Sequence, residues 1–193
     1  MEPMLSAELK HDDEQTLLKL ARQVITAGCQ KQTLAEIKPA EYSPALQEKR
    51  SAFVTLTKQQ LLRGCIGSLN PTRPLVLEVS HNAYASAFED YRFPNLDSSE
   101  LNQIKIEISI LSPHQPINFV DESSLINQLK PFQDGVILQY KQHRGTFLPQ
   151  VWEKLPKPDA FFKQLKQKAN LPPDFWSEEI KCYKYQVFAF HES

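Results

Sequence analysis

The sequence predicts an α+β fold: an antiparallel sheet with flanking helices, in two lobes built from a duplicated hairpin–helix–strand unit. Three observations lead there. Residues 104–111 alternate apolar and polar with period two, and two pairs of further β-type runs read as hairpins. Longer segments between them carry helical spacing. Val54-x-Leu56 followed by Arg63-Gly64 recurs as Val136-x-Leu138 followed by Arg144-Gly145, each time before a helix and a strand. The offset is 82 residues for the first pair and 81 for the second, as an internal duplication would leave it.

The elements follow in order. Asp12 is placed to cap a first helix, with Gln15 three residues on; Leu17, Leu18, Ala21, Val24 and Ile25 form its apolar stripe, and Gly28 supplies its stop. Pro39 and Pro44 break residues 30–52 into a loop or arm with a turn of helix near Leu46. Phe53-Val54-Thr55-Leu56-Thr57 is a strand, Lys58-Gln59-Gln60 a polar turn, and Leu61 to Leu69 the returning strand. Pro71 and Pro74 open a helix running to about Asp90, apolar on the face of Leu75, Val76, Val79, Ala83 and Ala87 and on that of Leu77, Tyr84 and Phe88. Residues 104–111 alternate as a half-buried strand, with Lys105, Glu107 and Ser109 on its polar face. Pro113 and Pro116 stop it. A short helix near 122–130, a second hairpin at 135–151, a helix at about 159–169 and a last strand at about 181–190 complete the reading.

Composition narrows the function. The 193 residues carry 22 Lys+Arg and 23 Asp+Glu, a net charge of −1, which fits neither a histone-like nor a polybasic membrane-surface protein. The three cysteines, Cys29, Cys65 and Cys182, lack CxxC spacing and form no disulfide framework, zinc ribbon or iron–sulfur ligand set. Reduced thiols in a cytoplasmic protein are the expectation. The N-terminus has no apolar leader, and no run approaches a membrane span. HExxH, a P-loop and GxGxxG are missing, so no metal and no cofactor is expected; a scattered site of Cys65, His81 and Glu107 has nothing to support it. Lysines interleave with aromatics between Lys154 and Tyr185, but the aromatics follow helix and strand periods, so nucleic-acid binding is not expected.

Leu62-Arg63-Gly64-Cys65-Ile66-Gly67 is the most unusual stretch: two of five glycines flank one of three cysteines. In a regular strand Arg63, Cys65 and Gly67 share one face, and a neighbouring cation favours the reactive thiolate. A bulge at either glycine would turn one side chain to the opposite face. The plainer reading is a small cysteine packed where glycine permits close approach. Of His11, His81, His114, His143 and His191, His81 is the best-placed base, on the helix after the Cys65 strand; a hydrogen-bonded core histidine is the competing reading.

At this motif the chain resembles the AMMECR-one domain family, whose prokaryotic members are called AmmeMemoRadiSam system protein A. Phe53-Val54-Thr55-Leu56 resembles the family's first strand; Asp90-Tyr91-Arg92-Phe93-Pro94 its Asp-Pro-Arg-Phe segment; Ile106-Glu107-Ile108-Ser109-Ile110-Leu111-Ser112 its Ile-Glu strand; Gly145 to Val151 its Leu-Pro-Gln-Val signature; and Lys168-Ala169-Asn170-Leu171-Pro172 its Lys-Ala-Gly-Leu-Pro. In order these segments cover roughly 14–190. The resemblance implies one domain of this type over 1–193, with a lobe boundary near 113–120 and the motif close to a cleft. It implies no reaction. Many members carry a cysteine where this chain has Lys166, so a mechanism needing that second thiol does not transfer. Through its genomic neighbours the family implies a modification pathway shared with a Memo-like protein and a radical S-adenosylmethionine enzyme, which would hold the iron–sulfur cluster.

The expected function is a component of that pathway. Its small-molecule or peptide-binding cleft has Arg63, Gly64, Cys65, Ile66 and Gly67 as floor and Arg92, Glu107 and Gln150 as wall, with Cys65 the nucleophile or transient carrier if the protein is an enzyme. The alternative is a non-enzymatic protein-interaction module using the same surface.

Overall fold

The computed structural model describes residues 9–33 and 35–192. The chain divides into two compact units: the first runs to Leu111 and resumes at Phe188, the second spans Ser112–Val187.

The first unit opens with α1 (His11–Cys29). Lys10, not Asp12, is its N-cap, and the Asp13 carboxylate accepts the Lys10 N–H at 3.0 Å. The short α2 (Pro44–Gln47) interrupts the arm that follows. β1 (Ala52–Lys58) and β2 (Leu61–Gly67) form the expected hairpin, turning through Gln59 and Gln60, both at positive φ. α3 (Leu75–Phe88) and β3 (Ile104–Leu111) come next. Ala52, Val54, Leu56, Ile106 and Ile108 bury one face of the sheet together with Leu17 and Ile25 of α1 and Val79 and Ala83 of α3. Alternation puts Phe53, Thr55, Thr57, Lys105 and Glu107 on the opposite face.

The second unit repeats the plan. β4 (Gln115–Pro116) and α4 (Glu122–Ile126) precede the hairpin of β5 (Gly135–Tyr140) and β6 (His143–Phe147); then come α5 (Pro158–Lys168) and β7 (Lys181–Tyr185). Val136, Leu138 and Cys182 pack with Phe161, Phe162 and Leu165. Trp152 stacks on Phe161 at 3.7 Å between ring centres and donates its indole N–H to the Asp134 carbonyl.

The final run, expected as one strand over 181–190, divides at Gln186. Its second half, β8 (Val187–His191), leaves the second unit's sheet and joins the first. Glu192 anchors it there, with its N–H on the Ile106 carbonyl and its carboxylate on the Ile106 N–H and the Arg22 guanidinium. The sheets read β2-β1-β3-β8 and β4-β7-β5-β6. In each, a hairpin's first strand lies between its own partner and the strand after the helix, the arrangement of a duplicated hairpin–helix–strand unit. The register repeats too: Leu56 faces Gly64, and Leu138 faces Gly145.

Candidate functional site

The Arg63–Gly67 motif lies on β2, an edge strand, and each of its residues is committed differently. Gly64 is buried beneath α3: a Cβ there would stand 2.1 Å from the Ser86 carbonyl oxygen. Gly67 lies opposite Phe53, and a Cβ there would meet the Phe53 ring at 2.3 Å. Ile66 pairs with Val54 and is half-buried. Both glycines therefore serve close packing.

Arg63 is the extra residue of a β-bulge. Thr57 faces Leu62 while Leu56 faces Gly64, so Arg63 is skipped. The regular strand needed for Arg63 to share the Cys65 face does not form. Instead Arg63 grips Glu100 of the 3-10 turn Ser98–Glu100, with Nε–Oε1 at 3.0 Å and Nη2–Oε2 at 2.8 Å. Lys58 Nζ reaches the same carboxylate at 2.9 Å. With Arg63 as the main cause, these bonds hold the Glu100 carboxyl down at about 2.

Cys65 lies on the face away from the core, half-buried, its Sγ 3.2 Å from Thr55 Oγ1. Asp90 and Arg92 hold its backbone. The Cys65 N–H donates to Asp90 Oδ2 at 2.9 Å, and Arg92 Nη2 donates to the Cys65 carbonyl at 3.1 Å. Arg92 also bonds both Asp90 oxygens, at 2.8 and 2.7 Å, and holds the buried carboxyl far below the usual carboxylate range. The pair satisfies an outward-facing peptide group on an edge strand, where another strand would otherwise dock. The guanidinium whose charge interacts with the Cys65 thiol is that of Arg92; Arg63 instead counters the rise that burial and nearby acids impose on the Cys29 thiol.

Thr55 links Cys65 to the next strand, since it pairs with Cys65 on one side and Glu107 on the other. Beside it opens a pocket of about 250 Å³ lined by Thr55, Thr57, Lys105, Ile106, Glu107 and His191. The first unit thus places Cys65 and Glu107 on one face of the sheet, two strands apart, with Arg92 at the β2 edge, while the bulge takes Arg63 elsewhere. Gln150 belongs to the second unit, exposed on the 3-10 turn Pro149–Glu153. His81 is exposed on α3, and among the described residues no three His, Cys, Asp or Glu side chains converge as metal ligands, so Cys65, His81 and Glu107 form no such site. Sequence reasoning missed Thr55, Thr57, Lys105 and His191. The first three are legible from period-two alternation; His191 is not, because its position depends on the return of β8. Chemically, the face offers a thiol, hydroxyls, a carboxylate, an ammonium and an imidazole, a set suited to a small polar ligand.

The profile of the AMMECR1 family matches residues 18–190. A protein of Methanothermobacter thermautotrophicus is 33% identical over 195 residues, covering 98% of this chain and 99% of its own length. One from Pyrococcus furiosus is 35% identical, covering 95% of this chain and 90% of its own. Among solved structures, the uncharacterized protein PH0010 from Pyrococcus horikoshii superposes with a TM-score of 0.81 at 33% identity, covering 96% of this chain and 94% of that one. No helix among the described residues is long and apolar enough to cross a membrane.

Proposed function

Because the chain belongs to the AMMECR1 family, we propose that its first unit binds a small polar molecule beside Cys65, as a component of a modification pathway shared with a Memo-like protein and a radical S-adenosylmethionine enzyme. The observation that carries this reading is the polar pocket of Thr55, Thr57, Lys105, Glu107 and His191, joined to the Cys65 thiol through the 3.2 Å contact with Thr55. A small molecule is favoured over a peptide added as a strand, since the outward peptide group of Cys65 already bonds Asp90 and Arg92.

The test is alkylation of the native protein with iodoacetamide, read by mass spectrometry at each cysteine. Cys65 labels first. Cys182 resists, because it is buried and burial pushes its thiol up to about 12; Cys29, raised by burial and by Asp97 and Glu100, lags Cys65. Covalent adducts are then sought with acyl and electrophilic metabolites. Labelling of Cys65 no faster than that of Cys182 overturns the reading.

A second reading, a non-enzymatic protein-interaction module on the same surface, draws on Tyr91, 95% exposed between Asp90 and Arg92, and on Leu61, 71% exposed at the start of β2. Under it Tyr91→Ala abolishes partner capture while Cys65→Ala preserves it. Bulky residues at Gly64 or Gly67 do not discriminate, since both would disturb packing before any partner was met.

A further inference from the structure

The second unit contains a separate pocket of about 220 Å³ at the meeting point of β4, β7 and the turn before β5. Its charged lining is Lys130, Lys184 and Asp134, and Gln115 and Gln186 supply amides. Gln115 pairs directly with Lys184 across β4 and β7. Tyr185 closes one side. It is held by hydrogen bonds to the Phe147 carbonyl and Thr146, by the His114 ring with centroids 5.5 Å apart, and by Gly135, where a Cβ would meet the Tyr185 ring at 2.4 Å.

Asp134 is the informative residue. It is only 2% exposed, and its backbone is fixed at both ends: its N–H donates to the Lys130 carbonyl, and its own carbonyl accepts the Trp152 indole. One carboxylate oxygen, Oδ2, accepts the Lys130 N–H at 2.9 Å. The other has no partner among the described residues, although the side chain lines the pocket. That oxygen is not shut away from solvent, so a ligand can reach it. The ammonium groups of Lys130 and Lys184 likewise have no carboxylate or other hydrogen-bond partner among the described residues. The turn between Lys130 and Asp134 contains Phe132 at φ 64, a strained conformation for an aromatic residue that the fold nevertheless holds.

We infer that this pocket binds a small zwitterion of the amino-acid class, its carboxylate on Lys130 and Lys184 and its ammonium on the free oxygen of Asp134. A simple anion would meet the Asp134 carboxylate, and a simple amine would meet the two lysines. Only a ligand carrying both charges satisfies all three groups. The volume, below that of drug-sized sites, fits a ligand this small.

The test is isothermal titration calorimetry of the full chain against the twenty standard L-amino acids. Each hit is repeated with its decarboxylated amine and its deaminated acid. At least one amino acid binds saturably, and both truncated analogues bind at least tenfold more weakly. Lys184→Met and Asp134→Asn each weaken binding about tenfold or more, as expected for loss of a charge-assisted contact. Lys184 has no partner to lose, so Lys184→Met keeps the wild-type thermal melt and remains informative if Asp134→Asn fails to fold. The inference is overturned if no amino acid binds, if Lys184→Met binds as wild type does, or if the deaminated acid or inorganic phosphate binds as tightly as the amino acid, which would make the pocket a plain anion site.

Discussion

Alanine at Gly64 tests how the motif is built. The Gly64 backbone adopts no positive φ, so conformational freedom does not require glycine there; close approach of α3 does. A Cβ would stand 2.1 Å from the Ser86 carbonyl oxygen and 3.1 Å from its carbon, both backbone atoms of a buried helix residue. No rotamer relieves that contact, and strand or helix must shift by about 1 Å, at a cost of about 3 kcal/mol, the upper end of ordinary overpacking. Gly145 is the internal control, because it holds the same register in the second hairpin. A Cβ there lies 3.0 Å from Ala169 N and from Leu165 O, so a few tenths of an ångström suffice and the cost is about 1 kcal/mol. For a chain of this length each kcal/mol lowers Tm by roughly 2–4 °C, so Gly64→Ala melts about 6–12 °C below wild type and Gly145→Ala about 2–4 °C below. Far-UV circular dichroism follows both variants. Tryptophan fluorescence follows the second unit, which contains both Trp152 and Trp176. A Gly64→Ala melt within about 2 °C of wild type, or one no lower than that of Gly145→Ala, refutes the packing argument.

Glu100 governs part of the acid limb of stability. Its carboxyl lies at about 2 against an ordinary 4.5, so its contribution to stability is complete above pH 4.5 and is lost as pH falls toward 2. Urea denaturation between those pH values falls steeply in wild type and more shallowly in Glu100→Gln; equal slopes would remove Glu100 from the account. Lys166 is fully buried, with Nζ on Glu122 Oε1 at 2.7 Å and on the Phe175 carbonyl at 3.2 Å. Lys166→Met keeps the volume and leaves a Glu122 that water reaches, so its urea midpoint corresponds to a loss within about 1 kcal/mol, whereas Lys166→Ala adds a cavity and loses about 3 kcal/mol. An alanine variant as stable as the methionine variant contradicts this.

Local pattern made much of the fold legible. Period-two alternation located β3, β-branched and apolar runs located β1 and β5, helical spacing located α1, α3 and α5, and the Val-x-Leu and Arg-Gly pairs marked a duplication that the two sheet orders repeat. Part of the candidate site was legible for the same reason: alternation determines which face Cys65, Thr55 and Glu107 share once their strands are paired. What tertiary structure decided lies where the same local signal permits two partners. The run from Lys181 to Phe190 has strand character throughout, and nothing in it states that β7 pairs with β5 while β8 crosses to β3; the bonds of Glu192 to Ile106 and Arg22 decide that, and with it the position of His191. Arg63 shares the Cys65 face in any regular strand. The bulge opposite Leu56 and Thr57, and a carboxylate 37 residues further along the chain, turn it away. Side-chain alternation is a property of the chain itself, but register and ion pairing belong to partners distant in sequence, so only the folded protein specifies them.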